Sequence, residues 1–174
     1  MRASPAHPLL SRRRLLVASA AASLAAAAPA WALEAGAPAP ALRLPGLAGE
    51  VDLSALAGQL VYVDFWASWC APCRLSFPFM NELLARHQAQ GLQVLAVNVD
   101  QRRGDADRFL AANPARFTVA FDASGDTPKR WQVKTMPTSA LVGRDGRVQW
   151  EHRGFRDEDR AELATRVAAA LAAR

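Results

Sequence analysis

The stretch Gln59-Leu60-Val61-Tyr62-Val63-Asp64-Phe65-Trp66-Ala67-Ser68-Trp69-Cys70-Ala71-Pro72-Cys73-Arg74 changes character partway along. Gln59 to Trp66, following Gly58, is β-branched and aromatic, and this predicts a buried strand. From Cys70 the period becomes helical: Leu75, Phe79, Met80, Leu83 and Leu84 form one apolar stripe that ends before Gly91. Two cysteines separated by two residues therefore stand where a strand turns into a helix. Unsatisfied backbone N–H groups and the positive helix end stabilise a thiolate there, lowering the Cys70 pKa below the free value of about 8.5. Cys73, one turn further and deeper, is placed to attack a mixed disulfide formed on Cys70. Pro72 needs no N–H so early in a helix and presets its first turn. Two other readings compete with a redox dithiol. A structural disulfide closing so short a loop would remove little unfolded-state entropy. Half of a metal site would need partners, yet only His87 and His152 follow residue 32, and a structural zinc takes four protein ligands.

Strand and helix patterns alternate outward from this point. Residues 33–50, broken by Pro38, Pro40, Pro45 and Gly46, read as an extended lead-in with one short edge strand. Leu92 to Val99 is near-continuously apolar, as in a strand covered on both faces. Asp105 is positioned to cap a short helix that runs to Ala112 and stops at Asn113-Pro114. Thr118–Phe121 reads as a strand and Asp126–Gln132 as a short helix. Thr138–Val142 and Arg147–Glu151 read as strands joined by Arg144-Asp145-Gly146, a hairpin signal. A closing helix starts near Asp157, with Leu163, Val167 and Leu171 as its core stripe. The order predicts an α/β domain, a mixed central sheet with helices on both faces.

Composition narrows the function. The 174 residues are 51% apolar and 21% charged, which suits a soluble globular chain. The net charge of +5 arises mostly from Arg2, Arg12, Arg13 and Arg14, since the chain beyond residue 32 holds 17 basic and 16 acidic groups. Nucleic-acid binding loses its compositional support. Two cysteines exclude a multi-disulfide mini-protein and a four-cysteine zinc module. Residues 1–32 follow the grammar of an export signal: a basic stretch to Arg14, an uncharged run Leu15–Ala30, and small residues at Ala30-Trp31-Ala32. Ser11-Arg12-Arg13-Arg14-Leu15-Leu16 is similar to a twin-arginine signal, and the sixteen-residue run falls short of the roughly 20 needed to span a membrane. The expectation is a cleaved signal over 1–32, a single domain over 33–174, and a periplasmic location.

Val63 to Arg74 resembles the active-site segment of the thioredoxin superfamily, and Phe77-Pro78-Phe79-Met80-Asn81 resembles the continuation found in its exported TlpA-like branch. Met136-Pro137-Thr138, about 65 residues on and ahead of a strand, is similar to the family's cis-proline motif. Together with Gly143–Gly146 and the closing helix, the likeness covers residues 40–174. The stretch from Asn98 to Phe121 resembles the strand–helix insertion of the TlpA-like branch.

The resemblance implies a thioredoxin-like fold and a thiol:disulfide oxidoreductase with no cofactor beyond the Cys70–Cys73 pair. Cys70, Cys73, Pro137 and Asp64 are the catalytic candidates, with Asp64 matching a buried acid that shuttles a proton for Cys73. Trp69, Ala71, Pro72, Met136 and Thr138 are the client-facing candidates, the Met136 backbone by strand addition. Trp66 is expected in the core, and Arg74 either covers the thiolate or is simply solvated. Many TlpA-like proteins carry a Glu where this chain has Ser76, so a mechanism through that Glu does not transfer. Ala71-Pro72 is closer to the Gly-Pro of thioredoxin, at about −270 mV, than to the His-containing pair of oxidants such as DsbA, at about −120 mV. A monomeric reductase of protein disulfides, recharged by a membrane electron donor, is therefore expected, with cytochrome c maturation among the possible client pathways. Two alternatives stand beside it: a copper- or haem-maturation thiol chaperone holding metal on the same cysteines, and a thiol peroxidase, disfavoured because Ser68-Trp69 precedes Cys70 and a second cysteine follows.

Overall fold

The computed structural model describes Met1 and residues 33–173. Residues 2–32, which carry the expected export signal, and Arg174 lie outside the described residues. Strand β3 (Leu60–Trp66) is the centre of the architecture, and all seven of its residues are buried. It pairs in parallel with β4 (Leu92–Asn98) and antiparallel with β6 (Thr138–Val142). Outside these run β5 (Thr118–Phe121), parallel to β4, and β7 (Val148–Arg153), antiparallel to β6. The five-stranded order is β5-β4-β3-β6-β7, the mixed sheet that the strand–helix alternation predicts.

Side chains alternate across a strand, so β3 serves two cores. Leu60, Tyr62 and Trp66 join the layer formed with helix α1 (Ala71–His87) and helix α4 (Asp159–Ala172). Val61, Val63 and Phe65 join Trp131 and the lead-in residues Leu33 and Leu42 on the other face. Helices α2 (Arg103–Ala112) and α3 (Asp126–Arg130) complete the connections. Among the described residues no helix is long and apolar enough to cross a membrane.

Several local expectations are corrected. The lead-in carries two short strands, β1 (Arg43–Pro45) and β2 (Glu50–Asp52), paired antiparallel, where one was expected. Gly46 makes their turn possible, because a Cβ there would sit 2.6 Å from a Val51 methyl and 2.8 Å from the Gly49 carbonyl. Leu75 is 44% exposed and lies off the buried stripe of α1. Phe77 takes the inward place, its ring 4.9 Å from Trp66, 5.0 Å from Phe109 and 5.2 Å from Phe117. The Phe-Pro-Phe segment is compatible with two inward settings of the stripe, and packing selects the one that buries Phe77. Asp105 does not cap α2, which begins two residues earlier; its carboxylate instead accepts from Arg102 and Arg108. Helix α3 ends at Arg130, short of Gln132, whose φ of 53° is left-handed. The closing helix starts at Asp159, and Leu171 only partly packs on the core that Leu163 and Val167 enter fully.

The aromatic group around Phe77 fastens the α2–β5 segment to the start of α1, directly behind the cysteines. Phe77→Ala should cost about 3–5 kcal/mol of unfolding free energy, as expected for a buried Phe. Urea denaturation would show this as a lower midpoint at unchanged slope.

Candidate active site

Where β3 ends, a polar clamp decides the course of the next loop. The Ser68 N–H and hydroxyl both donate to the Asp100 carboxylate, at 2.9 and 3.0 Å. Asn98 Nδ2 donates to the same carboxylate at 2.8 Å, and the Asp100 N–H donates back to Asn98 Oδ1 at 3.1 Å. The ends of β3 and β4 are thereby tied together just before Trp69 and Cys70. Sequence reading missed Asp100 and Ser68 in this role. The available signal was an Asn-x-Asp closing an apolar strand, with polar groups that need partners once buried.

Cys70 and Cys73 form a disulfide, with 5.4 Å between their Cα atoms. Cys70 is the residue that caps α1, and its Sγ accepts the Cys73 N–H at 3.2 Å. Pro72 falls in the first turn of the helix. Cys73 is wholly buried and Cys70 is 3% exposed, while the neighbouring Trp69 is 68% exposed. Ala71 and Pro72 are exposed and Trp66 lies in the core. Cys70 is thus flanked along the chain by exposed apolar residues, and its sulfur is held by a helix-end donor that would equally stabilise its thiolate.

Sheet register brings the second motif to the same end. Phe65 pairs with Thr138, so Pro137 precedes β6 beside the end of β3 that leads to the cysteines. The Met136–Pro137 peptide is cis, and the Pro137 carbonyl accepts the Gly154 N–H at 2.8 Å. Met136 is half-buried. Thr138 departs from the client-facing expectation: it is buried, and its hydroxyl donates to the Thr135 carbonyl at 2.8 Å. Ser76, in the place of the family Glu, is buried and donates to the Cys73 carbonyl at 3.1 Å, turned back on its own helix. Arg74 is exposed and lines a shallow cavity with Ser68, Asp105, Arg108 and Phe109.

Asp64 lies between Tyr62 and Trp66 on the face of β3 that is covered by the layer holding Cys73, and it is completely buried. Burial pushes its pKa up to about 7, opposed by the hydrogen bond that its Oδ1 accepts from Ser139 Oγ at 2.7 Å. Oδ2 meets no donor among the described residues. Burial and the nearby Asp64 charge also push the Tyr62 phenol up, so it stays protonated. Among the described residues no group of three or more His, Cys, Asp and Glu side chains is arranged to hold a metal.

This fold and site define a thioredoxin-like protein of the TlpA-like type, with a cysteine pair at the start of a helix. Residues 34–167 match the Redoxin family model, and the chain belongs to that family. The solved structure of a protein described as thiol:disulfide interchange protein DsbE, from Chlorobium tepidum, is similar at a TM-score of 0.79 with 53% identity, over 80% of this chain and 99% of that one. The structure of MTB dsbF, in mixed oxidised and reduced forms, is similar at a TM-score of 0.66 with 25% identity, over 74% of this chain and 94% of that one. The thiol-disulfide oxidoreductase ResA of Bacillus thuringiensis subsp. konkukian is 32% identical over 102 residues, spanning 59% of each chain. ResA of Geobacillus thermodenitrificans is 33% identical over 89 residues, 51% of each chain.

The raised pKa of Asp64 has a measurable cost. The folded state holds this proton more tightly than the unfolded state, so stability is greatest below the ordinary carboxyl pKa and falls as pH rises towards about 7. Asp64→Asn should flatten this fall. The variant should gain up to about 4 kcal/mol over wild type between pH 4 and pH 8, read from denaturant unfolding of the oxidised form.

Proposed function

We propose that this chain is an exported, periplasmic thiol:disulfide oxidoreductase that works as a reductase of protein disulfides. One observation carries the reading: Cys70 Sγ sits at a helix N-terminus, accepting the Cys73 N–H, and its chain neighbours Trp69, Ala71 and Pro72 are exposed. In the reduced protein the Cys70 thiolate attacks a client disulfide; one client sulfur leaves as a thiolate, and a Cys70–client mixed disulfide forms. Asp64 then takes the Cys73 proton, and the Cys73 thiolate attacks Cys70 Sγ. The second client thiolate leaves and the Cys70–Cys73 disulfide remains, so two electrons have passed to the client. Met136, beside Pro137, offers its backbone to an extended client segment.

The reducing direction rests on the Ala71-Pro72 pair, and export on the signal-like order of residues 1–32. A membrane donor that re-reduces the disulfide completes the cycle, with the protein acting as a monomer. The likeness to ResA and DsbE supports the class of chemistry.

Cys73→Ser should trap clients on Cys70 as mixed disulfides in periplasmic extracts, seen on non-reducing gels and released by dithiothreitol, whereas Cys70→Ser should trap none. Absence of adducts would defeat the dithiol mechanism. A potential above roughly −150 mV in glutathione buffers would defeat the reducing direction alone.

A further inference from the structure

Asp64 belongs to a row of residues that crosses the sheet. Its register partners are Ala96 on β4 and Ser139 on β6, and Ser139 in turn faces His152 on β7. Ala96 offers only a methyl group. The His152 ring is turned to Asp159 at the start of α4, with Nε2 3.4 Å from its carboxylate. Of the other cations on the covering helices, Arg74 is exposed at the surface and three have carboxylate partners. Arg160 lies on Asp157 and Glu82, Arg166 on Glu162, and Arg86 on Glu82. The Tyr62 phenol, two residues along β3, faces both Asp64 and the Ser139 hydroxyl and is held protonated; among the described residues the one hydrogen bond to the Asp64 carboxyl is that of Ser139.

We propose that Ser139 is a positioning residue of the dithiol site, whose hydroxyl pins Asp64 Oδ1 and so presents Oδ2 as the oxygen that takes the Cys73 proton. A carboxylate is planar and its Cβ is fixed in the strand, so fixing one oxygen fixes the direction of the other. Ser139 has the right chemistry, because its hydroxyl donates to the ionised carboxylate and favours it, against the burial that disfavours it. No cation is used. A neutral donor keeps the acid titratable in the physiological range without holding it permanently charged, which a base that must take up and release a proton at every turnover requires. In balance, Cys73 S–H gives its proton to Asp64 Oδ2, the Cys73 thiolate displaces the client thiolate from Cys70, and Asp64 later returns the proton to solvent. Ser139 neither gains nor loses one.

The inference rests on the reading of Asp64 as the proton acceptor, and the test separates the two. The reduced full chain is mixed with 5,5′-dithiobis(2-nitrobenzoate). Cys70 releases the first thionitrobenzoate and forms a mixed disulfide, and attack by Cys73 releases the second. The rate of the second phase is followed from pH 5 to pH 9. Wild type should show a limb near pH 7, and Asp64→Asn should lose it. Ser139→Ala should move the limb up by about one pH unit, slowing the second phase about five-fold at pH 7 with little change at pH 9. Ser139→Thr, which keeps the hydroxyl, should stay with wild type. If Ser139→Ala does not fold, Ser139→Val against Ser139→Thr makes the same comparison, the two differing in the hydroxyl. A limb unmoved by loss of the hydroxyl, or a rate lowered equally at every pH, overturns the role of Ser139 while leaving that of Asp64. A limb that persists in Asp64→Asn overturns the Asp64 reading itself.

Discussion

Strand β3 has no face turned to water, and the rest of the structure answers to that. All of Leu60–Trp66 is buried, so the strand needs a paired neighbour on each edge and an apolar layer on each side. Tyr62 and Trp66 draw α1 and α4 onto one side; Val61, Val63 and Phe65 draw Trp131 and the lead-in onto the other. A strand so enclosed can release the chain only at its end. There the Ser68–Asp100–Asn98 clamp turns it into α1 and places a sulfur at the helix N-terminus.

The same enclosure gives the site its chemistry and its energetic cost. A carboxyl in the middle of a buried strand is an expensive residue, and the cost appears as a pKa near 7 instead of near 4. In the mechanism we propose, that displacement lets Asp64 take up a proton at neutral pH, so the group that weakens the fold with rising pH would be the one that accepts the thiol proton. Ser139 limits the cost with a neutral hydrogen bond. The outer side of the site follows opposite physics. Trp69, Ala71 and Pro72 are exposed apolar surface beside a sulfur, an arrangement that an extended client chain can cover.

Much of this was legible along the chain wherever the physics is local. The period change from Gln59–Trp66 to the helix after Cys70, the apolar run Leu92–Val99 and the Asp-Gly hairpin each reflect short-range rules, and each element is where those rules put it to within a few residues. Leu75 and Phe77 show the limit. Both fit an apolar stripe interrupted by Pro78, and only the aromatic pocket of Trp66, Phe109 and Phe117, assembled from distant segments, selects Phe77. Thr138 is client-facing by motif position alone, and the structure turns its hydroxyl inward onto the Thr135 carbonyl; Ser76, where family members have Glu, likewise turns onto the Cys73 carbonyl.

The sequence by itself determined the dithiol, its place at a strand-to-helix junction, the alternation that makes a mixed sheet, and the presence of an acid inside an apolar strand. These depend on neighbours within a turn or two. Which partners meet that acid and that loop was decided only by the tertiary structure. Asp64 and Ser139 stand 75 residues apart, and Ser68 and Asp100 stand 32 apart. A hydrogen bond between such residues depends on strand order and register, which follow from burying the whole chain at once and leave no mark on the local spacing of residues.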